Sequence, residues 1–152
     1  MQAPVLDYVC SLHVELDTPL ELGAGRSGTR RIIPIIGGRV PGERLKGRVL
    51  NLGADWQTVF RDGVAELDTR YTLETDDGAM IDIANYGFRH GPEAVMSALA
   101  RGEDVDPTLY YMRTQARLET GDARYAWVNR TVFVGMGRRL ASAVLIDLYA
   151  VC

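Results

Sequence analysis

The segment Leu50-Asn51-Leu52-Gly53-Ala54-Asp55-Trp56-Gln57 sets a carboxylate, an indole and an amide side by side just after a glycine turn. A carboxylate held against an indole in a partly dry pocket has its charged form disfavoured. Its pKa then rises toward the range useful for general acid or base work. Asp55 is therefore the candidate proton carrier and Trp56 a candidate substrate contact. The competing reading is an Asx turn at Asp55 with Trp56 as a core plug.

Arg113 lies in Tyr110-Tyr111-Met112-Arg113 and shares a strand face with Tyr111, Gln115 and Arg117. The Gly121-Asp122 turn makes Tyr125 to Met136 its expected hairpin partner, which would bring Arg113, Trp127 and Asn129 into one interior with Trp56 nearby. A buried arginine beside an aromatic ring and an amide suits a carboxylate or an enolate. Alternatively, Arg113 pairs with an interior acid such as Asp68 and fills the barrel. Arg70 shares a face with Glu66, Asp68 and Thr72. Pointing inward, it is a substrate-binding cation flanked by carboxylates; pointing outward, it belongs to a solvated strand face. Both orientations stay open.

Other residues carry less. His90, before Gly91-Pro92, reads as a loop histidine that could exchange protons at a barrel rim. His13 reads as structural. Two histidines without ligand spacing, and two cysteines without a CxxC, lead us to expect no metal. Gly23-x-Gly25-x-x-Gly28 matches a dinucleotide glycine pattern but is followed by a strand, not a βαβ unit. It reads as a flexible loop, and no cofactor is expected.

The elements positioning these residues alternate with period two. Strand-like runs cover Val5 to Leu16, Arg30 to Val40 with a bend at Gly37-Gly38, Leu45 to Leu52, Trp56 to Phe60, Val64 to Thr75, Ala79 to Arg89, Leu109 to Thr120, Tyr125 to Met136 and Ala141 to Val151. Asp76-Asp77-Gly78 is the strongest hairpin signal. One helix is expected over Pro92 to Arg101, with Pro92 in the first turn, Glu93 at the positive end and Gly102 as the stop. The pattern predicts one all-β domain over residues 1–152, an antiparallel barrel with one short helix.

A chain of 152 residues can bury its own core. A net charge of −3 without a basic block argues against nucleic acid as the main partner. The cations are nearly all arginine, Lys46 being the sole lysine. No signal peptide and no membrane-spanning run are expected, which suggests a cytoplasmic protein with free thiols at Cys10 and Cys152. Both faces of the last strand are largely apolar: Val144, Ile146 and Leu148 on one, Leu145 and Tyr149 on the other. One face must be covered from outside, so a homodimer or higher homo-oligomer is expected.

Gly-Ala-Asp-Trp-Gln, Arg70-Tyr71 before Asp77-Gly78-Ala79, Tyr111-Met112-Arg113-Thr114, Tyr125-Ala126-Trp127-Val128-Asn129 and the Val-Leu-Ile-Asp last strand together resemble domain of unknown function three-two-three-seven. This is a family of small bacterial and fungal proteins. The resemblance covers nearly the whole chain and implies a calycin-like (lipocalin-type) barrel, but no established reaction. The functional expectation is a small-molecule-binding barrel, read as a cofactor-independent isomerase, cyclase or lyase for a small anionic or carbonyl-containing compound. A non-catalytic carrier and an oligomeric scaffold are the alternatives.

Overall fold

The computed structural model describes residues 2–152. Nine antiparallel strands run in chain order: β1 (Leu6–Leu16), β2 (Leu20–Ala24), β3 (Thr29–Val40), β4 (Gly47–Val59), β5 (Ala65–Thr75), β6 (Met80–His90), β7 (Tyr111–Glu119), β8 (Phe133–Arg139) and β9 (Ala143–Val151). β1 pairs with both β9 and β3, so the sheet closes into an eight-stranded ring, with β2 hanging from β3 outside it. The closing contact pairs β1 with β3 from His13 to Leu16, which removes most of the sheet edge that an open sheet would expose. The expected all-β antiparallel barrel is therefore the architecture.

Alternation decides what faces inward. On β6, Ile81, Ile83, Asn85, Gly87 and Arg89 are buried, while the residues between them are half-buried or exposed. On β7, Met112, Thr114, Ala116 and Leu118 are buried and the odd-numbered residues lie on the outer wall. The hairpin at Asp77-Gly78 forms, with Glu74 paired to Met80 and Gly78 in the left-handed region at φ 89°.

Three expectations need correction. The two runs on either side of Gly53 are one strand, β4, which bulges between Val49 and Gly53. Gly53 has φ 124°, and a Cβ there would collide with the Arg70 carbonyl oxygen, so glycine lets the strand bend without breaking. The stretch expected to start a strand at Tyr125 is a 3-10 segment, Ala123–Arg130, capped by the Asp122 side chain; β8 begins only at Phe133. This segment makes the chain less purely β than expected, with a second helical run exceeding two turns at about three residues per turn. Finally, β2 lies partly in what reads as loop, with every one of its residues exposed.

The two barrel ends differ. At one end the 3-10 segment acts as a plug. Trp127 lies 5.8 Å from the Phe133 ring, with the Arg44 guanidinium 4.2 Å above the indole. At the other end the helix α1 (Glu93–Ala100) packs Leu99, Val95 and Met96 over Ala65, Leu67, Tyr110 and Met112. Its start after Pro92 and its stop at Gly102 agree with the expectation. Cys10 is wholly buried in the core, which pushes its thiol up to about 12, so it is inert as a nucleophile at neutral pH. Among the described residues, no helix is long and apolar enough to cross a membrane.

Candidate functional site

The inward faces of the strands leave a cavity in the half of the barrel beneath α1. It is a narrow, partly enclosed cavity that opens to solvent at the mouth. Most of the wall is aliphatic, contributed by residues such as Ile33, Ile35, Leu67, Met112 and Ile146. Polar side chains enter it at two levels.

The deeper level holds Tyr71 from β5, Asn85 from β6 and Thr114 from β7. Exposure is 2% for Tyr71 and Asn85 and 6% for Thr114, yet Tyr71 Oη, Asn85 Oδ1 and Thr114 Oγ1 have no hydrogen-bond partner within the protein. Asn85 stands near Tyr71 without completing a hydrogen bond of acceptable geometry. Burial pushes the Tyr71 phenol up, Cys10 adds to the rise, and Asn85 opposes it. The phenol thus stays protonated at neutral pH and can donate. Gly135 leaves the space beside Thr114 clear, because a Cβ there would run into the threonine hydroxyl and Ile146. Buried polar groups are ordinarily paired, and leaving one unpaired costs about 1–3 kcal/mol. Three such atoms, from three neighbouring strands, line one cavity.

The upper level holds Asp55, Gln57, Arg89, Arg139 and, beside them, Arg31. Asp55 Oδ1 accepts from the Asp68 backbone N–H at 3.0 Å, and Oδ2 accepts from Gln57 Nε2 at 2.9 Å. Gln57 Oε1 in turn accepts from Arg31 Nε at 2.8 Å. This relay fixes the carboxylate and points Gln57 in one direction. Burial raises the Asp55 pKa, against the opposing hydrogen bonds of Gln57, Asp68 and Thr69 and the charge of Arg89. Arg89 is 6% exposed; its guanidinium makes no hydrogen bond or ion pair among the described residues, and its Nε is buried without a partner. Burial pushes its guanidinium down to about 10, and Arg139 and Arg31 push the same way. Arg139 is lowered by burial and by Arg31. Three guanidinium groups thus share one acid, Asp55. Among the described residues, no group of three His, Cys, Asp or Glu side chains gathers into a metal site.

Of the residues singled out from the sequence, Asp55 alone lines this cavity. Trp56, next to it, points to the outer wall and is 38% exposed, so barrel burial and not an indole contact raises the Asp55 pKa. Arg70 is exposed on the outside, with Glu66 and Asp68 on the same wall. Arg113 is half-buried on the outer wall; its Nη1 donates to the Met112 carbonyl at 2.9 Å, and the guanidinium lies 5.4 Å from the Tyr111 ring centroid. Trp127 plugs the opposite end. Asn129 is held by Thr120, accepting from its N–H at 2.8 Å and donating to its carbonyl at 2.9 Å. The expected grouping of Arg113, Trp127 and Asn129 in one cavity does not form. The β7 parity is set by Met112 and Leu118, and the 3-10 segment withdraws Trp127 and Asn129 from the wall.

Tyr71, Asn85, Arg89, Thr114 and Arg139 line the cavity and were not among the candidates drawn from the sequence. A signal was present: Ile81 and Ile83 set the inward parity of β6, and that parity carries Asn85 and Arg89 inward too.

The model of the family described as "Protein of unknown function (DUF3237)" matches residues 4–151. The chain belongs to this family. A crystal structure of a conserved protein of unknown function from Rhodopseudomonas palustris is similar to this family member over all of both chains, with 40% identity and a TM-score of 0.96. A β-barrel-like protein from Acinetobacter baumannii is 45% identical, covers 100% of this chain and 98% of its own, and has a TM-score of 0.88. The family barrel also resembles a protein described as an enzyme from Penicillium herquei, with a TM-score of 0.75, 15% identity and coverage of 100% of this chain and 97% of that one; this likeness concerns the fold.

Proposed function

We propose that this barrel is a cofactor-independent enzyme. In this reading it takes a small carbonyl-containing compound into the cavity beneath α1 and moves a proton with Asp55. The observation that carries the reading is the convergence of unpartnered buried polar atoms, Tyr71 Oη, Asn85 Oδ1 and Thr114 Oγ1, on a cavity that also holds a carboxylate of raised pKa. A perturbed acid in a cleft is a common mark of a catalytic site, and a carrier does not need one.

The chemistry is simple. Asp55 as carboxylate takes a proton from the carbon next to the carbonyl. The C–H electron pair forms a C=C bond while the carbonyl π pair moves onto oxygen. The Tyr71 and Thr114 hydroxyls, the former held protonated, donate to the resulting oxyanion. For an isomerisation Asp55 then returns its proton to another carbon as the oxyanion re-forms the carbonyl. For an elimination the enolate instead re-forms the carbonyl while its C=C pair becomes the α,β bond, and the substituent on the β carbon leaves with its bonding pair, taking the proton from Asp55. Gln57 positions the carboxylate through its link to Arg31.

Exchange of the α-hydrogens of hexan-2-one in heavy water, followed by NMR, tests this without knowledge of the natural substrate. The protein is expected to accelerate exchange, and Asp55→Asn to remove roughly 10²–10⁴-fold of that acceleration. Because the carboxylate is the active form, the rate should fall as pH drops through the raised Asp55 value. Binding of the ketone without accelerated exchange would make the barrel a carrier instead.

A further inference from the structure

The two polar levels of the cavity differ in kind. At the mouth, Arg89, Arg139 and Arg31 face a single acid, Asp55, and none of the three forms an ion pair within 4 Å among the described residues. Six other arginines, Arg44, Arg48, Arg101, Arg117, Arg124 and Arg138, sit against carboxylates, and those without an ion pair are exposed or, like Arg113, lie on the outer wall; Arg89 and Arg139 are unpaired and line the cavity. Deeper in, the unpartnered groups are neutral: a phenol, an amide oxygen and a hydroxyl. Between the levels the wall is aliphatic, with Ile33, Leu67, Met112 and Ile146. Asn85 and Arg89 are four residues apart on β6, roughly 13 Å of strand at about 3.3 Å per residue, part of which the long arginine side chain can span.

From this we infer that the ligand is one bipolar molecule: a small organic acid whose carboxylate sits among Arg89, Arg139 and Arg31. Its short apolar body crosses the aliphatic belt, and a carbonyl or hydroxyl at the far end reaches Tyr71, Asn85 and Thr114. The inference rests on the cavity being the binding site and adds the substrate class and its direction of entry. A carboxylate supplies the charge that the arginine cluster lacks, and its planar oxygens match guanidinium geometry. A carbonyl accepts from Tyr71 and Thr114; a hydroxyl can also donate to Asn85 Oδ1. The order follows from charge: an anion cannot be stabilised at the neutral inner level as it is among three guanidinium groups.

A matched series tests this by calorimetry on the whole protein. The probes are 5-oxohexanoate, which carries both groups; hexanoate, which lacks the carbonyl; and 5-oxohexanamide, which lacks the charge. The oxo acid should bind tightest, hexanoate about 10-fold and the amide about 100-fold more weakly, as expected for the loss of a neutral and of a charge-assisted contact. Arg139→Met should abolish the preference for acid over amide. Thr114→Val, nearly isosteric, should weaken the oxo acid while leaving hexanoate unchanged. Circular dichroism verifies that each variant is folded, and the probe series on the unmodified protein stands even where one is not. Equal binding of acid and amide, with Thr114→Val weakening both, would overturn the bipolar ligand but leave the cavity reading intact. Displacement of 5-oxohexanoate by equimolar inorganic phosphate would reduce the mouth to a plain anion site and also overturn it. No binding of any probe would count against both readings.

Discussion

Replacing Arg89 by methionine is expected to stabilise the protein while weakening its hold on small organic acids by about 10- to 100-fold. Arg89 is buried, unpaired among the described residues, and pressed by two like charges. At neutral pH, well below both its folded and its unfolded pKa, the guanidinium is charged in either state, so the whole cost of burial falls on the folded chain. A depression from 12.5 to about 10 corresponds to roughly 3 kcal/mol at 1.36 kcal/mol per unit, an order-of-magnitude figure. Methionine keeps most of the stem volume and carries no charge. A gain of about 1–3 kcal/mol, or roughly 3–10 °C in Tm for a chain of this size, should be visible by calorimetric melting. The loss in binding is that of a charged donor, about 1.5–3 kcal/mol. A strained, destabilising residue kept at a site is a sign of function. A melting temperature lowered by several degrees would show instead that Arg89 is structural.

Phe133→Ala is expected to be the most damaging single truncation at the plugged end. Phe133 is wholly buried, pairs through its backbone with Ala116 and Ala150, and carries the Trp127 indole on its ring. Truncating a buried phenylalanine costs about 3–5 kcal/mol. That is a large share of the roughly 5–15 kcal/mol by which a domain is stable. Urea denaturation should show the midpoint falling sharply with the slope unchanged. Since the plug lies away from Asp55 and the arginines, whatever protein remains folded should bind the oxo acid as before. A midpoint within experimental error of the original would mean that the Trp127 segment closes the gap by itself.

The two cases show what was legible in the sequence. Strand alternation was: Arg70 shares its face with Glu66, Asp68 and Thr72, which leaves Leu67, Thr69, Tyr71 and Leu73 on the other, and it is this second face, a direction the sequence left open, that is the interior. The helix from Glu93 to Ala100 was legible from Pro92 and Gly102, and the turn from Asp77-Gly78. Asp55 was singled out as a carboxylate after a turn and against an indole; it is buried instead within β4, which runs through Gly53 without a break. The arginines were misread for a physical reason. A cation flanked by aromatics, as at Arg113, looks like a binding site, but the same neighbours suit a guanidinium lying flat on an outer wall. The buried cation, Arg89, ends the run from Ala79 to Arg89, where the parity of Ile81 and Ile83 turns it inward; a charge at a strand end beside His90-Gly91-Pro92 ordinarily stays in water, so it was not singled out. The 3-10 segment was equally hidden. Tyr125, Trp127 and Thr131 have β-forming side chains, and only the capping by Asp122 and the Asn129–Thr120 contacts made in the folded chain favour the tighter turn.

The most direct test of the central claim, that the barrel interior is the binding site, is methyl NMR with isoleucine and methionine labels. Ile33, Ile35, Ile146 and Met112 line the cavity, whereas Ile36 and Met80 lie on the surface. Adding hexan-2-one or 5-oxohexanoate should shift the four cavity methyl groups in a saturable way and leave Ile36 and Met80 in place. Saturable shifts at Ile36 or Met80, with the cavity methyl groups unmoved, would contradict the account.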